Sequence, residues 1–305
     1  DDDLDVFVAN DQTPDQLWRN LGDGRFRDVA PEMGCAVGIT GEARAGMGVA
    51  TADLDDDGDF EVFVVHLERQ ADALWRNEGA FFRDMTGISG LGSASRRFTR
   101  FGVGFVDFDH DGHQDLYVAN GRVTLPASSG VPIAEDPFAE PNLLLAGAPD
   151  GRFHLAEPAG GTEIPLVATS RAAAFGDLDG DGGVDIVVVN RDGRAHVLRN
   201  LSADRGHWLL LELVNWPGRT HLGAQATVHW RGRTFRRRSA PTSSYQSSHD
   251  PRLHFGLGVG SPGAPDRATV EVRWPDGTVE NIGSLAIDRL HVVRREGHSS
   301  TADRP

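Results

Sequence analysis

Acidic residues recur at positions 1, 3, 5 and 9 of short loops along this chain, a spacing that can hold a hard cation. The stretch Asp177-Leu-Asp-Gly-Asp-Gly-Gly-Val-Asp185 is the cleanest copy. Asp is short, so Asp177, Asp179 and Asp181 can turn their carboxylates onto one point while Gly182 supplies the bend. Gly183, at position 7, offers its backbone carbonyl, and Asp185, at position 9, can close the shell with two oxygens. The total, about six or seven oxygen ligands, suits calcium better than magnesium. An EF-hand loop would need Glu at position 12 and flanking helices. Here position 12 is Val188, inside an apolar run over 186–190 that reads as a buried strand.

The pattern repeats. Asp53, Asp55, Asp57, Asp59 and Glu61 form a loop ahead of the apolar run 62–65. Asp107, Asp109, Asp111, His113 and Asp115 form another ahead of 116–120. His113 would coordinate through its carbonyl, and the side chains of His110 and His113 are expected to face solvent. Asp1, Asp3 and Asp5 precede the run 6–10 and align with loop positions 5 to 9. The expectation is therefore three full calcium sites and one partial. Carboxylates packed this closely repel by about 4 kcal/mol per pair at an effective dielectric of about 20, so without a cation the loops should open or bind protons.

Each loop sits in the same frame. An apolar strand containing glycine or alanine leads in, at 45–50, 101–106 and 172–176, and the buried strand leads out. A third short strand follows at 17–20, 74–77, 142–145 and 197–200. A fourth follows a turn in three of the units, near Phe26, Phe82 and Phe153. Four short strands per unit, repeated, describe a β-propeller blade. Residues 121–141, rich in Pro and Ser, read as an insertion between two strands of one blade and lengthen the loop spacing there from 54 to 70 residues.

Phe175-Gly-Asp-Leu-Asp-Gly-Asp-Gly and its copies resemble the core motif of FG-GAP/VCBS repeats over residues 1 to about 200. The resemblance implies calcium-loop propeller blades, usually seven, whereas this chain encodes between three and four. N-terminal trimming, an open arc, or closure by a second chain would each account for that, and the half-motif at Asp1 favours trimming. Beyond residue 201 the grammar changes to short strands and tight turns without a helix, the pattern of a small β-sandwich. Leu222-Gly-Ala, Ser244-Tyr, His254-Phe-Gly-Leu-Gly and Val272-Arg-Trp-Pro-Asp-Gly resemble the ASPIC/UnbV domain. Its Ser-Tyr loop differs here, reading Pro241-Thr-Ser-Ser-Tyr-Gln-Ser-Ser. The pairing is that of the cartilage-acidic-protein-like family and its bacterial homologues. The expected domains are propeller repeats over 1–203, a sandwich over 204–296 and a disordered tail over 297–305; the fold class is all-β.

Composition narrows the functions. Net charge is −15, with −19 over residues 1–200 and +4 over 201–305, which argues against nucleic acid as a partner. The chain has no lysine, so Schiff-base chemistry is out, and the single Cys35 reads as a small core residue. No apolar run is long enough to span a membrane, and no signal peptide is visible. The twelve histidines form no H-x-H or H-x-x-x-H pair, and His207, His229, His254 and His291 fall on strands. No nucleophile elbow, phosphate loop or zinc-hydrolase motif occurs. The arginines at 231, 233 and 236–238 read as a solvated hairpin face or, alternatively, as a dock for the acidic repeats. The loop 242–250 reads as a plain polar loop, or as a ligand pocket or propeller contact formed by Tyr245, Gln246 and His249.

The leading expectation is a calcium-binding scaffold without catalytic residues, its partner a protein, glycan or small molecule. The resemblance implies an extracellular or periplasmic location. It also implies an alternative: a tailoring enzyme or ligand-binding protein of bacterial secondary metabolism, of the enediyne type. A calcium-dependent carbohydrate-binding module is the third reading.

Overall fold

The computed structural model describes residues 4–125, 136–202, 205–215, 219–260 and 266–295. Asp1, Asp3, the middle of the 121–141 insertion and the tail 297–305 lie outside them.

Period-2 alternation with turn residues at short intervals makes strands, and nearly all regular structure here is β. The first antiparallel meander is Val6–Val8 (β1), Gln16–Asn20 (β2) and Phe26–Asp28 (β3). The second is Val49–Ala52 (β4), Glu61–Val64 (β5), Ala73–Asn77 (β6) and Phe82–Asp84 (β7). The third uses Arg100–Val106 (β8) and Asp115–Asn120 (β9). Glu140–Pro141 (β10) then leaves the sheet, and Leu143–Gly147 (β11) and Phe153–Leu155 (β12) complete it. β10 pairs with Val167–Ala168 (β13). The fourth meander is Ser170–Gly176 (β14), Asp185–Asn190 (β15) and His196–Leu198 (β16). These are the blades that the repeats predict. Among the described residues no sheet closes on itself.

Alternation also explains how blades stack. In β5, Val62 and Val64 enter a core with Leu17, Val29 and Cys35 of the first blade. The intervening Phe63, with Val65 just beyond the strand, enters a core with Leu116 and Val118 of the third. In β9, Tyr117 and Ala119 face Phe175, Ile186 and Val188 of the fourth. β5 and β9 are thus apolar on both faces because a blade covers each face. Glycine on the lead-in strands permits this spacing: a Cβ on Gly102 would overlap the Ala172–Ala173 backbone of the next blade. On the fourth blade Val189 and Val197 remain 47% and 65% exposed.

The remaining strands form two facing sheets. His207–Val214 (β17), Gln225–Trp230 (β18), Arg233–Arg238 (β19), Leu253–Gly258 (β20), Arg267–Arg273 (β21), Val279–Ala286 (β22) and Leu290–Arg294 (β23) follow in order. One sheet runs β20-β17-β23 and the other β19-β18-β21-β22. Leu209, Leu211, Phe235, Phe255 and Trp274 fill the space between them. The expected sandwich is present, and β21 shows the strict alternation of a sheet with one buried face.

Candidate metal centres

Each acidic loop is the connection between the first and second strands of its blade. The residue before position 1 pairs with position 9 in all three: Ala52 with Glu61, Val106 with Asp115 and Gly176 with Asp185. The ladder therefore brings the two ends of each loop together, and the intervening residues must curl over the strand ends.

Left-handed backbone makes the curl. Position 4 has positive φ in every loop: Asp56 at 60°, His110 at 59° and Gly180 at 78°. So does position 6: Gly58 at 100°, Gly112 at 91° and Gly182 at 88°. Two such residues with one between them direct the alternate side chains inward. Backbone N–H groups then hold the carboxylates. Position 1 accepts from position 6, with Gly58 N to Asp53 Oδ2 at 3.2 Å, Gly112 N to Asp107 Oδ2 at 2.8 Å and Gly182 N to Asp177 Oδ2 at 3.1 Å. Position 5 accepts from position 7, as in His113 N to Asp111 Oδ1 at 2.7 Å and Gly183 N to Asp181 Oδ1 at 2.8 Å.

Position 9 fastens the loop to the third strand. Glu61 accepts from Leu54 N and Asn77 N, Asp115 from Phe108 N and Gly147 N, and Asp185 from Leu178 N and Asn200 N. Asp5 of the first blade plays the same part, accepting from Asn20 N at 2.8 Å.

Ligand oxygens converge in each loop. Asp53, Asp55 and Asp57 bring one oxygen each within 4.8 Å of the others, and so do Asp107, Asp109 and Asp115, and Asp177, Asp179 and Asp185. Position 1 is buried in all three while position 3 is exposed, so each cluster opens to solvent on one side. Asp59, Glu61, Asp111 and Asp181 stand in the same loops but outside these triads. An arginine on one third strand and one just after another close two of the mouths: Arg76 pairs with Asp55 at 2.6 Å and Arg199 with Asp179 at 2.5 Å.

The electrostatics favour a cation. Burial, helped by the neighbouring Asp56 carboxylate, pushes the Asp53 carboxyl up to about 6. Burial likewise lifts Glu61 and Asp115 to about 7, and Asp107, crowded by Asp115 and Asp111, well above the carboxylate range. Asp53 Oδ1 is buried without a hydrogen-bond partner. A divalent ion held by oxygen ligands would satisfy that atom and remove the repulsion, so the residues present fit such an ion.

His110 corrects the sequence reading. Its side chain is fully buried, not solvated. Nδ1 lies 3.2 Å from the Gly206 carbonyl, and the ring packs on His254 with centroids 4.8 Å apart. The cause is the sandwich, which covers the loops. His113 is half-buried. The solvated reading of the arginine hairpin fails for the same reason. Arg233 Nη2 donates to the Gly112 carbonyl at 2.8 Å, Arg236 Nη1 to the Asp56 carbonyl at 2.8 Å, and Arg238 lies over the Phe60 ring.

The 242–250 loop also docks on the blades. Ser244 exchanges backbone hydrogen bonds with Val49, and its hydroxyl accepts from Val103 N at 2.8 Å. Tyr245 packs edge-on against Phe101, whose ring also carries the Arg171 guanidinium. Gln246 is exposed at φ 49°. His249 lines a cavity of about 400 Å³ between the lead-in strands and the sandwich, with Ala50, Phe105, Phe175, Leu210 and Ser243. Sequence reasoning missed Arg205, Trp208 and Arg252 as loop contacts. The one signal for the two arginines was the opposite net charge of the two halves.

The two halves match two family descriptions. The FG-GAP-like repeat family matches residues 1–64 and 53–118, and ASPIC and UnbV matches residues 216–300. The loop at Asp177 lies beyond the matched repeats but has their register and backbone. The first part of the chain thus matches FG-GAP-like repeats and the second an ASPIC and UnbV domain.

Its similarity to individual proteins runs across both parts. It is 27% identical to Cartilage acidic protein 1 of Xenopus tropicalis over 292 residues, which is 90% of this chain and 40% of that protein. The mouse protein of the same name is 27% identical over 313 residues, 95% of this chain and 42% of its own length. The human one is 27% identical over 297 residues, 90% and 39%. The chain therefore spans about two fifths of the length of these relatives. No helix among the described residues is long and apolar enough to cross a membrane.

Proposed function

We propose that this chain is a calcium-binding propeller scaffold, in which structural ions stiffen the blade edges and the surfaces they hold in place do the binding. The observation that carries the reading is the threefold recurrence of three carboxylate oxygens within 4.8 Å of one another. Asp53, Asp55 and Asp57 would hold one ion, Asp107, Asp109 and Asp115 a second, and Asp177, Asp179 and Asp185 a third. Glu61, Asp111 and Asp181, with the position-7 carbonyls of Asp59, His113 and Gly183, stand ready to complete the shells. The large oxygen count favours calcium over magnesium. An extracellular or periplasmic setting accords with the cartilage in the relatives' name. The apolar face left open at Val189 and Val197 suits a further blade or a second chain.

Thermal denaturation tests the reading. Calcium should raise the melting temperature and EGTA lower it, calcium adding about 2.7 kcal/mol of stability per site when its free concentration exceeds the dissociation constant 100-fold. Identical melts in calcium and EGTA would reject it.

The cavity favours a second reading, in which the same scaffold binds a small molecule. Its volume of about 400 Å³ falls within the usual range for ligand sites, and its walls are mainly apolar. Ser243 Oγ and His249 Nε2 are 2.8 Å apart at its edge. Burial holds the His249 pKa down to about 4, so the ring is neutral near pH 7 and free to act as an acceptor. Aromatic compounds should then change the intrinsic fluorescence saturably, and Ala52→Phe, which fills the cavity, should abolish the change. A panel without any saturable response counts against this second reading.

A further inference from the structure

The backbone that turns carboxylates into each loop turns carbonyls out of it, and the sandwich meets four of these carbonyls. At position 4, the Asp56 carbonyl accepts from Arg236 Nη1 at 2.8 Å and the His110 carbonyl from Gly258 N at 2.8 Å. At position 6, the Gly112 carbonyl accepts from Arg233 Nη2 at 2.8 Å, and the Gly182 carbonyl lies 3.0 Å from His254 Nε2. These are the two left-handed positions of the loops. Arg233 also reaches Asp56 Oδ2 at 3.4 Å, so one guanidinium spans two neighbouring loops. At the third loop, Arg252 donates to the Asp177 carbonyl at 2.7 Å and Arg205 pairs with Asp181 at 3.1 Å. The fit is close: a Cβ on Gly182 would overlap the Trp208 indole, and one on Gly112 would overlap Arg233.

We propose that the sandwich forms the outer half of the three metal centres, so that each ion's binding is linked to the contacts the sandwich makes with that ion's own loop. Arg233, Arg236 and His254 are its positioning residues. The proposal rests on the calcium reading above. An ion gathers the carboxylates and fixes the curl that points the position-4 and position-6 carbonyls outward. Without it, mutual repulsion splays the loop and carries those carbonyls off their donors. Linkage is reciprocal: whatever calcium adds to docking, docking adds to calcium affinity. None of the three positioning side chains needs to touch the ion.

Two measurements on the full chain test this. First, calcium titrations by calorimetry compare the wild type with R233Q/R236Q. Both side chains lie outside the Phe235-centred core, and circular dichroism checks the fold. Two of the three sites should weaken about tenfold, a typical coupling, while the third, held by His254 and Arg252, keeps its affinity. A general loss of structure would weaken all three. Second, trypsin cleavage of wild-type protein at Arg199 and Arg205, between the last blade and the sandwich, should run about tenfold faster in EGTA than in calcium. This arm needs no variant. If calcium binds but neither the double variant's affinities nor the cleavage rate changes, the linkage is wrong and the calcium reading stands. If calcium does not bind the wild type at all, both fall.

Discussion

At the scale of single residues, the carboxyls dominate the chemistry. Glu61 and Asp115 titrate near 7 because the fold buries them, against about 4 for exposed carboxyls. In metal-free protein the folded state therefore holds more protons than the unfolded one between about 4 and about 7. Their contribution to stability is complete below the unfolded value and is lost as pH rises through 7. An ion competes with those same protons. Calcium affinity measured by calorimetry should thus climb from about pH 5 to about pH 7 and then level off. A flat profile would show that neither carboxyl faces the ion.

A second buried charge lies far from the loops. Arg100 is fully buried, donates to Asp72 Oδ1 at 2.6 Å and to the Gln70 carbonyl at 2.7 Å, and also holds the Ser95 and Phe98 carbonyls. It ties the second blade to the third. Arg100→Met leaves Asp72 buried without its partner, and denaturant unfolding should register a loss of about 3–5 kcal/mol.

At the scale of elements, the hairpin between the first two strands of a blade is the unit of design. Its closing pair, its two left-handed residues and its position-9 latch recur three times with little change. Gly182 is where this geometry meets the sandwich. Gly182→Ala would place a Cβ at φ 88° and against Trp208. The left-handed conformation alone costs about 1–2 kcal/mol, and the overlap adds about 1–3 kcal/mol. Chemical denaturation should show that combined loss. Gly180→Ala, at φ 78° with open space around it, should show only the first part.

At the scale of the whole molecule, the charge asymmetry has a structural use. The acidic blades present carbonyls and carboxylates at one edge, and the arginine-rich β19 lies across them. Three divalent ions would offset six units of the formal net charge of −15. Electrophoretic mobility toward the anode at neutral pH should fall between EGTA and calcium, by about two fifths at most, because the ions displace protons from Glu61, Asp107 and Asp115. An unchanged mobility would mean that no loop is loaded.

The acidic loops were legible in the sequence because their chemistry is local. Acids at fixed spacing, glycine at the bend and an apolar strand beyond specify hairpin, curl and a gathering of carboxylates within nine residues. The blades were legible because period-2 alternation is local too, as β5 and β9 show. What the sequence left open was which surface each element would meet. His110 looked like a solvated loop residue and is buried. The arginines of β19 looked like a wet hairpin and lie on the loops. Tyr245 and His249 stand four residues apart in one loop, yet one grips a blade and the other lines a cavity. In each case the partner is distant along the chain, Gly206 for His110 and Asp56 for Arg233. Only the docking of sandwich on blades brings such groups together, because burial is a property of the packed molecule and not of any segment read alone.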